Sequence, residues 1–367
     1  MKDNTKKEPQ VSAFRSLSEQ DRTRIRQMAL NKRKKRKKIR NTVLLCLLIL
    51  IIIGAGGGAV WLIQEKRASS SAREFQISRE FSDIASKTAA RSAGFAADLC
   101  VAEGGDIALG EVTLEEGQTG ALMDLTAKKV LYAKGIYERI YPASITKIMT
   151  ALVAIQYGNL TDTVTITQED VTLEEGSQVC GFLAGDQLTM DQLLHCLLVF
   201  SGNDAAAAIA SHVGGTQEHF VELMNEYARK LGMTGTHFGN PHGLHQDNHY
   251  TTVYDIYLML QEAYKHTEFI DITSLSSYTV VFPRADGTEA SIYLEATDYY
   301  LNGLATPPRN VTILAGKTGT TDQAGSCLAL ITQNAYGNPF ISIVLGAYDK
   351  TLLYEEMGSL LEKINEL

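Results

Sequence analysis

The chain has 367 residues, 45% of them hydrophobic, and a formal net charge of −8, which allows one large or two ordinary globular domains beyond any targeting segment. The charge is unevenly divided. Residues 1–41 carry 15 basic and 4 acidic side chains, whereas the rest of the chain is strongly acidic. A basic arm on an acidic body is typical of proteins that bind nucleic acid or a membrane.

An apolar segment follows the basic arm directly and decides between these two classes. Residues 32–38 read KRKKRKK, and residues 43–63 then form a stretch of 21 residues without a charge, long enough to cross a bilayer as a helix. The positive-inside rule places the N-terminus in the cytoplasm and the body outside. We therefore expect a cytoplasmic tail (1–41), a single transmembrane helix (43–63) in the cell membrane, an extracellular body and no nucleic-acid partner. A cleaved signal peptide is the alternative, although secretory apolar cores are shorter, about 7–15 residues.

The segment after the apolar stretch predicts a stalk and then a globular domain. Residues 64–93 contain few large apolar side chains and several serines, so they are interpreted as a linker, and residues 94–367 as one domain. The domain opens with sequences typical of strands, the last two of which are joined by a turn at Ala127-Lys128. The predicted strands are residues 95–102, 107–114, 120–126 and 129–133.

Helical signals dominate the middle of the chain, and strand signals return after it. The helices are predicted at 190–200, at 203–213, after an N-cap at Thr216 and from Thr252 to Tyr264. Strands follow at 277–283 and 290–296, then a hairpin at 327–333 and 340–348, and the chain closes with a helix at 350–367. This order predicts an α+β fold, an antiparallel sheet drawn from both ends of the domain with helices packed on it.

The first candidate for chemistry is the pair Ser144 and Lys147 in the sequence YPASITK. Pro142 suits the entry to a helix, and three residues of spacing place the hydroxyl and the amine on the same helix face. A lysine activates a serine as base only if its charged form is disfavoured. A capping serine beside an exposed lysine is the alternative.

Two later motifs carry further polar groups. Ser201-Gly202-Asn203 lies between two predicted helices, where a loop can hold a hydroxyl and a carboxamide toward a cleft. Lys317-Thr318-Gly319-Thr320 precedes a strand, offers a positive charge for a carboxylate, and has a glycine that permits close approach of a substrate backbone. Taken singly, Ser201-Gly202-Asn203 is also typical of an ordinary turn. Lys317-Thr318-Gly319-Thr320 is also typical of a strand edge protected by a lysine.

In the order S-x-x-K, S-x-N and K-T-G, these motifs form the signature of penicillin-binding proteins and class A β-lactamases. From about Thr119 onward, the chain resembles the serine-type D-alanyl-D-alanine carboxypeptidases, low-molecular-mass penicillin-binding proteins of peptidase S11 type. The resemblance includes YPASITKIMTALVAI, GSQVCGFLAGDQLTMDQLLHCLLVFSGNDAAAAIA, NPHGL and AGKTGTT. It implies a β-lactamase/transpeptidase-like fold, an antiparallel sheet with a helical subdomain, here preceded by one transmembrane helix. The implied activity is removal of the terminal D-alanine from peptidoglycan stem peptides, with β-lactams as inhibitors.

The resemblance also implies roles for individual residues. Ser144 would form the acyl-enzyme, Lys147 would act as general base, and Ser201 would assist proton transfer to the leaving D-alanine. No cofactor or metal is implied, and the oxyanion hole would use the backbone N–H groups of Ser144 and Thr320. His242 is a candidate for shaping the cleft. The predicted substrate-binding residues are Asn203, Lys317, Thr318, Gly319 and Thr320, and the charge of Lys317 is expected to help keep Lys147 neutral.

Other functions fit parts of the sequence. A class A β-lactamase needs a glutamate in an E-x-x-L-N loop, and the closest sequence is Asp298-Tyr299-Tyr300-Leu301-Asn302, which has aspartate and begins 19 residues before Lys317. An endopeptidase of the same fold or a non-catalytic peptidoglycan-binding membrane protein are further alternatives. Many relatives have an additional C-terminal β-rich domain and an amphipathic tail; neither fits here, so the N-terminal span is the expected anchor.

Histidine and cysteine residues leave two questions open. His245 and His249 have the i, i+4 spacing of zinc ligands on a helix, but the surrounding Asn, Pro and Gly residues predict a loop. Four cysteines lie outside the apolar span, and they allow up to two disulfides in three connectivities or four unpaired thiols. These are Cys100, Cys180, Cys196 and Cys327.

Overall fold

The computed structural model describes residues 98–102 and 104–366, all of which belong to one unit, Gly94–Leu367. Nine strands are described in this part of the chain: β1 (Thr119–Asp124), β2 (Lys129–Lys134), β3 (Thr163–Thr165), β4 (Gln187–Thr189), β5 (Ser277–Pro283), β6 (Glu289–Glu295), β7 (Thr312–Thr321), β8 (Gly325–Gln333) and β9 (Pro339–Ala347). Five of them form an antiparallel sheet in the order β2-β1-β9-β8-β7. The predicted antiparallel sheet drawn from both ends of the domain is confirmed.

Eight α-helices are described in the same residues: α1 (Lys147–Tyr157), α2 (Met190–Leu198), α3 (Asn203–Gly214), α4 (Gln217–Leu231), α5 (Val253–Ala263), α6 (Thr267–Thr273), α7 (Tyr299–Asn302) and α8 (Lys350–Lys363). Their N-termini follow the sequence. The hydroxyl of Thr216 accepts a hydrogen bond from His219 N at 3.2 Å, and that of Thr252 from Asp255 N at 3.1 Å. The predicted cap at Thr216 is thus confirmed.

The main sheet is covered on both faces, which explains the nearly continuous apolar sequence of β8. Cys327, Ala329 and Ile331 alternate toward the core shared with the helical region. Leu328 and Leu330 point the other way, into a second core beneath α8. Strand β7 has a neighbour on one side only, so its outer edge is free to line a site.

Helix α1 lies at the centre of the larger core. All residues from Lys147 to Ala154 are buried, a lysine among them. A 3-10 turn, Ala143–Thr146, precedes the helix, and Ala143 adopts a φ of +48°, a value that side-chain-bearing residues rarely adopt. The chain thus enters this buried helix through a strained turn.

Two of the predicted strands, at 95–102 and 107–114, are not formed by their described residues, 98–102 and 107–114. The described residues of the first are held by side chains of α5, because Cys100 N donates to the Tyr257 hydroxyl at 2.8 Å and Cys100 O accepts from the Tyr254 hydroxyl at 3.0 Å. In the second, Ile107 makes a single bridge to Ala133. A turn with Gly110 at a φ of +58° then leads the chain away.

The middle of the chain, where helical signals dominate, also contains the antiparallel pair of β3 and β4. All four described cysteines are buried and unpaired. Across the described residues no helix is long and apolar enough to span a bilayer. The predicted tail (1–41), span (43–63) and linker (64–93) lie outside these residues.

Candidate active site

The two residues of the S-x-x-K motif meet at the start of α1. Ser144 is partly exposed in the 3-10 turn, and its Oγ lies 2.9 Å from Nζ of Lys147. The ammonium or amine of Lys147 also contacts Asn203 Oδ1 at 2.7 Å and the carbonyl oxygen of His242 at 2.6 Å. A neutral amine has two N–H donors and one lone pair. With both donors on Asn203 and His242, the lone pair is left for the proton of Ser144.

The surroundings of Lys147 favour the neutral form. Its side chain is fully buried, and burial together with the positive charge of Lys317 holds the pKa of Lys147 well below its usual range. The nearby Asp204 opposes this effect, but its carboxylate is occupied by backbone N–H groups, among them those of Cys180 and Gly181, each at 2.9 Å. The buried lysine can therefore act as a base.

The S-x-N motif lies in the turn between α2 and α3. Ser201 has a φ of +70°, a second strained position, and its Oγ accepts a hydrogen bond from Lys317 Nζ at 3.0 Å. Lys317 also donates to the Thr318 carbonyl oxygen at 3.0 Å. Burial lowers the pKa of Lys317 to about 7, with Asp298 opposing and Lys350 reinforcing the shift. Ser201 thus links to one lysine while its neighbour Asn203 binds the other.

The K-T-G motif lies on the free edge of β7. There Gly319 packs against the 3-10 turn Ala143–Thr146, called the nucleophile turn below because it carries Ser144. A Cβ at Gly319 would lie 2.9 Å from Ser144 N and 3.1 Å from Ala143 Cβ. The space was expected to admit a substrate backbone, but the chain's own 3-10 turn fills it. The glycine is therefore required to bring β7 next to Ser144.

The loop containing His242 supports the same turn from the opposite side. Gly243 has a φ of +89°, and a Cβ there would lie 1.9 Å from the carbonyl oxygen of Ala143. The ring of His242 lines the cleft, and burial lowers its pKa to about 3, so the ring is neutral. Besides shaping the cleft, as predicted from sequence, His242 fixes Lys147 through its backbone carbonyl.

These residues surround a cleft of about 280 Å³. Its lining includes Ser144, Ser201, Asn203, His242, Thr318, Gly319 and Thr320, while Lys147 and Lys317 lie buried beneath it. All the predicted site residues therefore meet in one place. Sequence reasoning missed Thr297, whose hydroxyl lies 2.6 Å from that of Thr318, and Lys350, which lines the rim. Neither lies within a recognisable motif.

The alternative metal site is not formed by the described residues. Both ring nitrogens of His249 are engaged: Nε2 lies 2.8 Å from Thr146 Oγ1, and Nδ1 accepts from Gly239 N at 3.2 Å. His245 packs its ring edge-on against Tyr141 and lies 3.4 Å from Asp247. Within residues 98–102 and 104–366, no group of three or more His, Cys, Asp or Glu side chains is arranged to hold a metal ion.

Asp298, the residue considered as the carboxylate of a β-lactamase, is not placed as that activity requires. Asp298 is 5% exposed and does not line the cleft of Ser144. It lines a second, small cavity together with Lys317. The side chain is therefore not placed to hold a water molecule against an acyl group on Ser144.

The fold and the three motifs define a serine-peptidase type of site, in which a serine hydroxyl lies beside a buried lysine. A sequence model of the peptidase S11 family, described as D-alanyl-D-alanine carboxypeptidase, matches residues 114–349. The chain belongs to this family.

Individual relatives agree with this assignment. The chain is 35% identical over 243 residues to D-alanyl-D-alanine carboxypeptidase DacF of Bacillus subtilis, covering 63% of this chain and 58% of that protein. It is 34% identical over 257 residues to DacC of Escherichia coli, covering 65% and 59%. The match thus spans less than two thirds of the length of these curated relatives.

Solved structures show the same architecture. A variant of a Streptomyces DD-transpeptidase superposes with a TM-score of 0.62 at 26% identity, covering 68% of this chain and 97% of that one. A D-alanyl-D-alanine carboxypeptidase from Mycobacterium tuberculosis gives a TM-score of 0.59 at 28% identity, covering 69% and 93%.

Proposed function

We propose that this protein is a serine-type D-alanyl-D-alanine carboxypeptidase that removes the terminal D-alanine from peptidoglycan stem peptides. The observation that carries the proposal is the 2.9 Å contact between Ser144 Oγ and the fully buried Nζ of Lys147. Burial holds the pKa of Lys147 well below its usual range, which favours the neutral amine that can accept the serine proton. The membership of the chain in the S11 family supports the same activity.

Acylation begins with attack of Ser144 Oγ on the carbonyl carbon between the two D-alanines. The serine proton passes to Lys147 Nζ, and the carbonyl oxygen becomes an oxyanion. The backbone N–H groups of Ser144 and Thr320 are its proposed donors, one on each side of the contact between the nucleophile turn and β7. Collapse of the intermediate breaks the peptide bond, and the proton held by Lys147 passes by way of Ser201 to the leaving D-alanine nitrogen, so that Lys147 is neutral again.

Lys317 provides the recognition of the substrate end. The ammonium group lies beneath the free edge of β7 and is held by Ser201 and by the Thr318 carbonyl. A protonated Lys317 supplies a buried positive charge, and the hydroxyls of Thr318 and Thr320 at the cleft surface offer the hydrogen bonds to a terminal carboxylate. The edge strand itself offers backbone groups to an extended peptide.

Deacylation uses the same groups with water as nucleophile. Water gives its proton to the neutral Lys147 as its oxygen bonds to the acyl carbon, and the ester to Ser144 Oγ breaks with return of a proton to the serine. β-Lactams carry a carboxylate next to a strained amide, so we expect them to acylate Ser144 as substrate mimics.

The test is the intact mass of the full chain in detergent after incubation with benzylpenicillin, beside Ser144→Ala. The proposal predicts a single adduct of penicillin mass on the wild type and none on the variant. Release of D-alanine from a stem pentapeptide, absent in Ser144→Ala, is the matching activity. Rapid consumption of penicillin without an adduct would favour a β-lactamase, and the absence of both adduct and turnover would favour a non-catalytic binding protein.

We also propose that residues 43–63 anchor the protein in the cell membrane as a single-pass helix, with the N-terminus cytoplasmic and the enzyme outside. The uncharged 21-residue stretch behind a basic arm supports this orientation. Protease added to intact spheroplasts should degrade a C-terminal epitope tag and spare an N-terminal one. Protection of the C-terminal tag would overturn the orientation, and release of the protein into the medium would indicate a cleaved signal peptide.

A further inference from the structure

A buried carboxylate next to the active site has no role in the mechanism above. Asp298 ends the segment after β6, and its Oδ1 accepts hydrogen bonds from Tyr300 N and from the Tyr354 hydroxyl, both at 2.9 Å. These contacts cap α7 and join it to α8. The other oxygen, Oδ2, is buried and has no hydrogen-bond partner among the described residues. Burial raises the pKa of Asp298, while the Tyr300 N–H, the Tyr354 hydroxyl and the charge of Lys317 act against this shift. A buried carboxylate oxygen without a partner is costly, so its position calls for a reason.

Asp298 shares a small cavity with Lys317. The cavity, which Leu198, Leu275 and Thr297 also line, offers about 10 Å³ to the centre of a water molecule. That is close to the minimum that holds one water. Lys317 uses two of its three ammonium donors on Ser201 Oγ and the Thr318 carbonyl, so one N–H is left for a further acceptor.

The charges around Lys317 influence how readily its side chain keeps its proton. Burial disfavours the ammonium, as does Lys350 at the start of α8. Asp298 is the acidic group that acts in the opposite direction. The phenols of Tyr300 and Tyr354 face Asp298. Burial raises the pKa of Tyr300 and of Tyr354, so both phenols remain neutral.

We propose that Asp298 is a positioning residue for the substrate carboxylate, which holds Lys317 in its protonated form through one buried water molecule. The inference rests on the proposed function, because it concerns binding of a terminal carboxylate at Lys317. It separates the roles of the two buried lysines. Lys317, with a carboxylate behind it, keeps its charge to a higher pH than it would alone and binds, whereas Lys147, whose nearby acid Asp204 is occupied by backbone groups, gives up its proton and acts as base.

Two variants separate the charge of Asp298 from its capping contacts. Asp298→Asn keeps an oxygen for Tyr300 N and the Tyr354 hydroxyl and removes only the charge. Tyr354→Phe removes one of those hydrogen bonds and keeps the charge. Thermal unfolding of both variants measures the structural role by itself.

The experiment is the second-order rate of acylation between pH 5 and pH 9, with benzylpenicillin and with its methyl ester, which lacks the carboxylate. For benzylpenicillin, we expect the alkaline limb of the plot of acylation rate against pH to lie about one unit lower in Asp298→Asn than in the wild type. This shift corresponds to about a tenfold loss of rate on that limb. The ester should react with Asp298→Asn as it does with the wild type, and the limb of Tyr354→Phe should not move.

The opposite results overturn the inference. If Asp298→Asn lowers the rates of both reagents equally, with an unshifted limb, the residue serves only the fold. If Tyr354→Phe shifts the limb as much as Asp298→Asn does, the hydrogen bonds and not the charge are responsible. A wild-type chain that neither reagent acylates would overturn the proposed function and this inference with it, whereas an unshifted limb on an acylated wild type overturns the inference alone.

Discussion

At the scale of single residues, the site depends on two buried lysines that carry different charges. Lys147 must be neutral to accept the proton of Ser144, so activity rises as pH rises through its lowered pKa. Lys317 must be charged to bind a carboxylate, so substrate binding is lost as pH rises through its pKa of about 7. The two requirements together produce a bell-shaped profile.

We therefore predict that kcat/KM for a D-alanyl peptide falls on the alkaline side with a midpoint near pH 7, because this parameter reports the free enzyme. Lys317→Arg is the informative variant, since arginine stays protonated throughout this range. Whatever activity this variant retains should lack the alkaline limb. A limb that persists unchanged in Lys317→Arg would assign the titration to another group.

At the scale of elements, the site depends on the distance between β7 and the nucleophile turn. Gly319→Ala would place a Cβ 2.9 Å from Ser144 N, so the strand or the turn must shift. We expect the acylation rate to fall by about 100-fold, the loss that follows from misplacing a reacting group by about 1 Å. The rate of penicillin labelling measures it.

Gly358→Ala in α8 is the matched control for this change. The nearest atom to its added Cβ, the Tyr300 hydroxyl, is 4.0 Å away, so the helix should gain about 0.5–1 kcal/mol of stability while labelling stays at the wild-type rate. Equal labelling rates for Gly319→Ala and the wild type would show that the close approach is not needed.

A second contact between elements joins the β5–β6 hairpin to the loop before β4. Arg284 Nη1 donates to Asp186 Oδ2 at 2.7 Å, and Asp186 is wholly buried. Arg284→Met should lower the free energy of unfolding by about 3 kcal/mol, near the lower limit for breaking a buried pair, because a quarter of the Arg284 side chain remains exposed. Chemical denaturation of the wild type and of the double variant Asp186→Asn, Arg284→Met tests the cause. Recovery of stability in the double variant is expected, since it removes the unpaired charge.

The elements also show what a sequence can predict. The motif residues were predictable because their chemistry is fixed by residue type and spacing, and the caps and hairpins because local hydrogen bonds decide them. Residues 95–102 have the composition of a strand, but Tyr254 and Tyr257, some 155 positions later, take the backbone hydrogen bonds of Cys100. Asp298 likewise acquires its surroundings only through folding, because Lys317 and Tyr354 are distant from it in sequence.

At the scale of the whole molecule, the catalytic groups come from three parts of the chain that only the complete fold brings together. Ser144 and Ser201 are 57 positions apart, and Ser201 and Lys317 are 116 positions apart. Yet Lys147 reaches Asn203 at 2.7 Å, and Lys317 reaches Ser201 at 3.0 Å. One hydrophobic core packs the helices that carry the first two motifs against the sheet that carries the third.

Because a single core supports all three motifs, we predict that the site and the domain unfold together. Labelling by a fluorescent penicillin and the far-ultraviolet circular dichroism of the full chain in detergent should lose half of their signals at the same urea concentration. Ser144→Ala, which cannot be labelled, gives the background at every concentration. Loss of labelling at clearly lower urea would show that the cleft opens while the sheet persists, with the turn around Ser201 and the loop of His242 as the first parts to separate from Lys147.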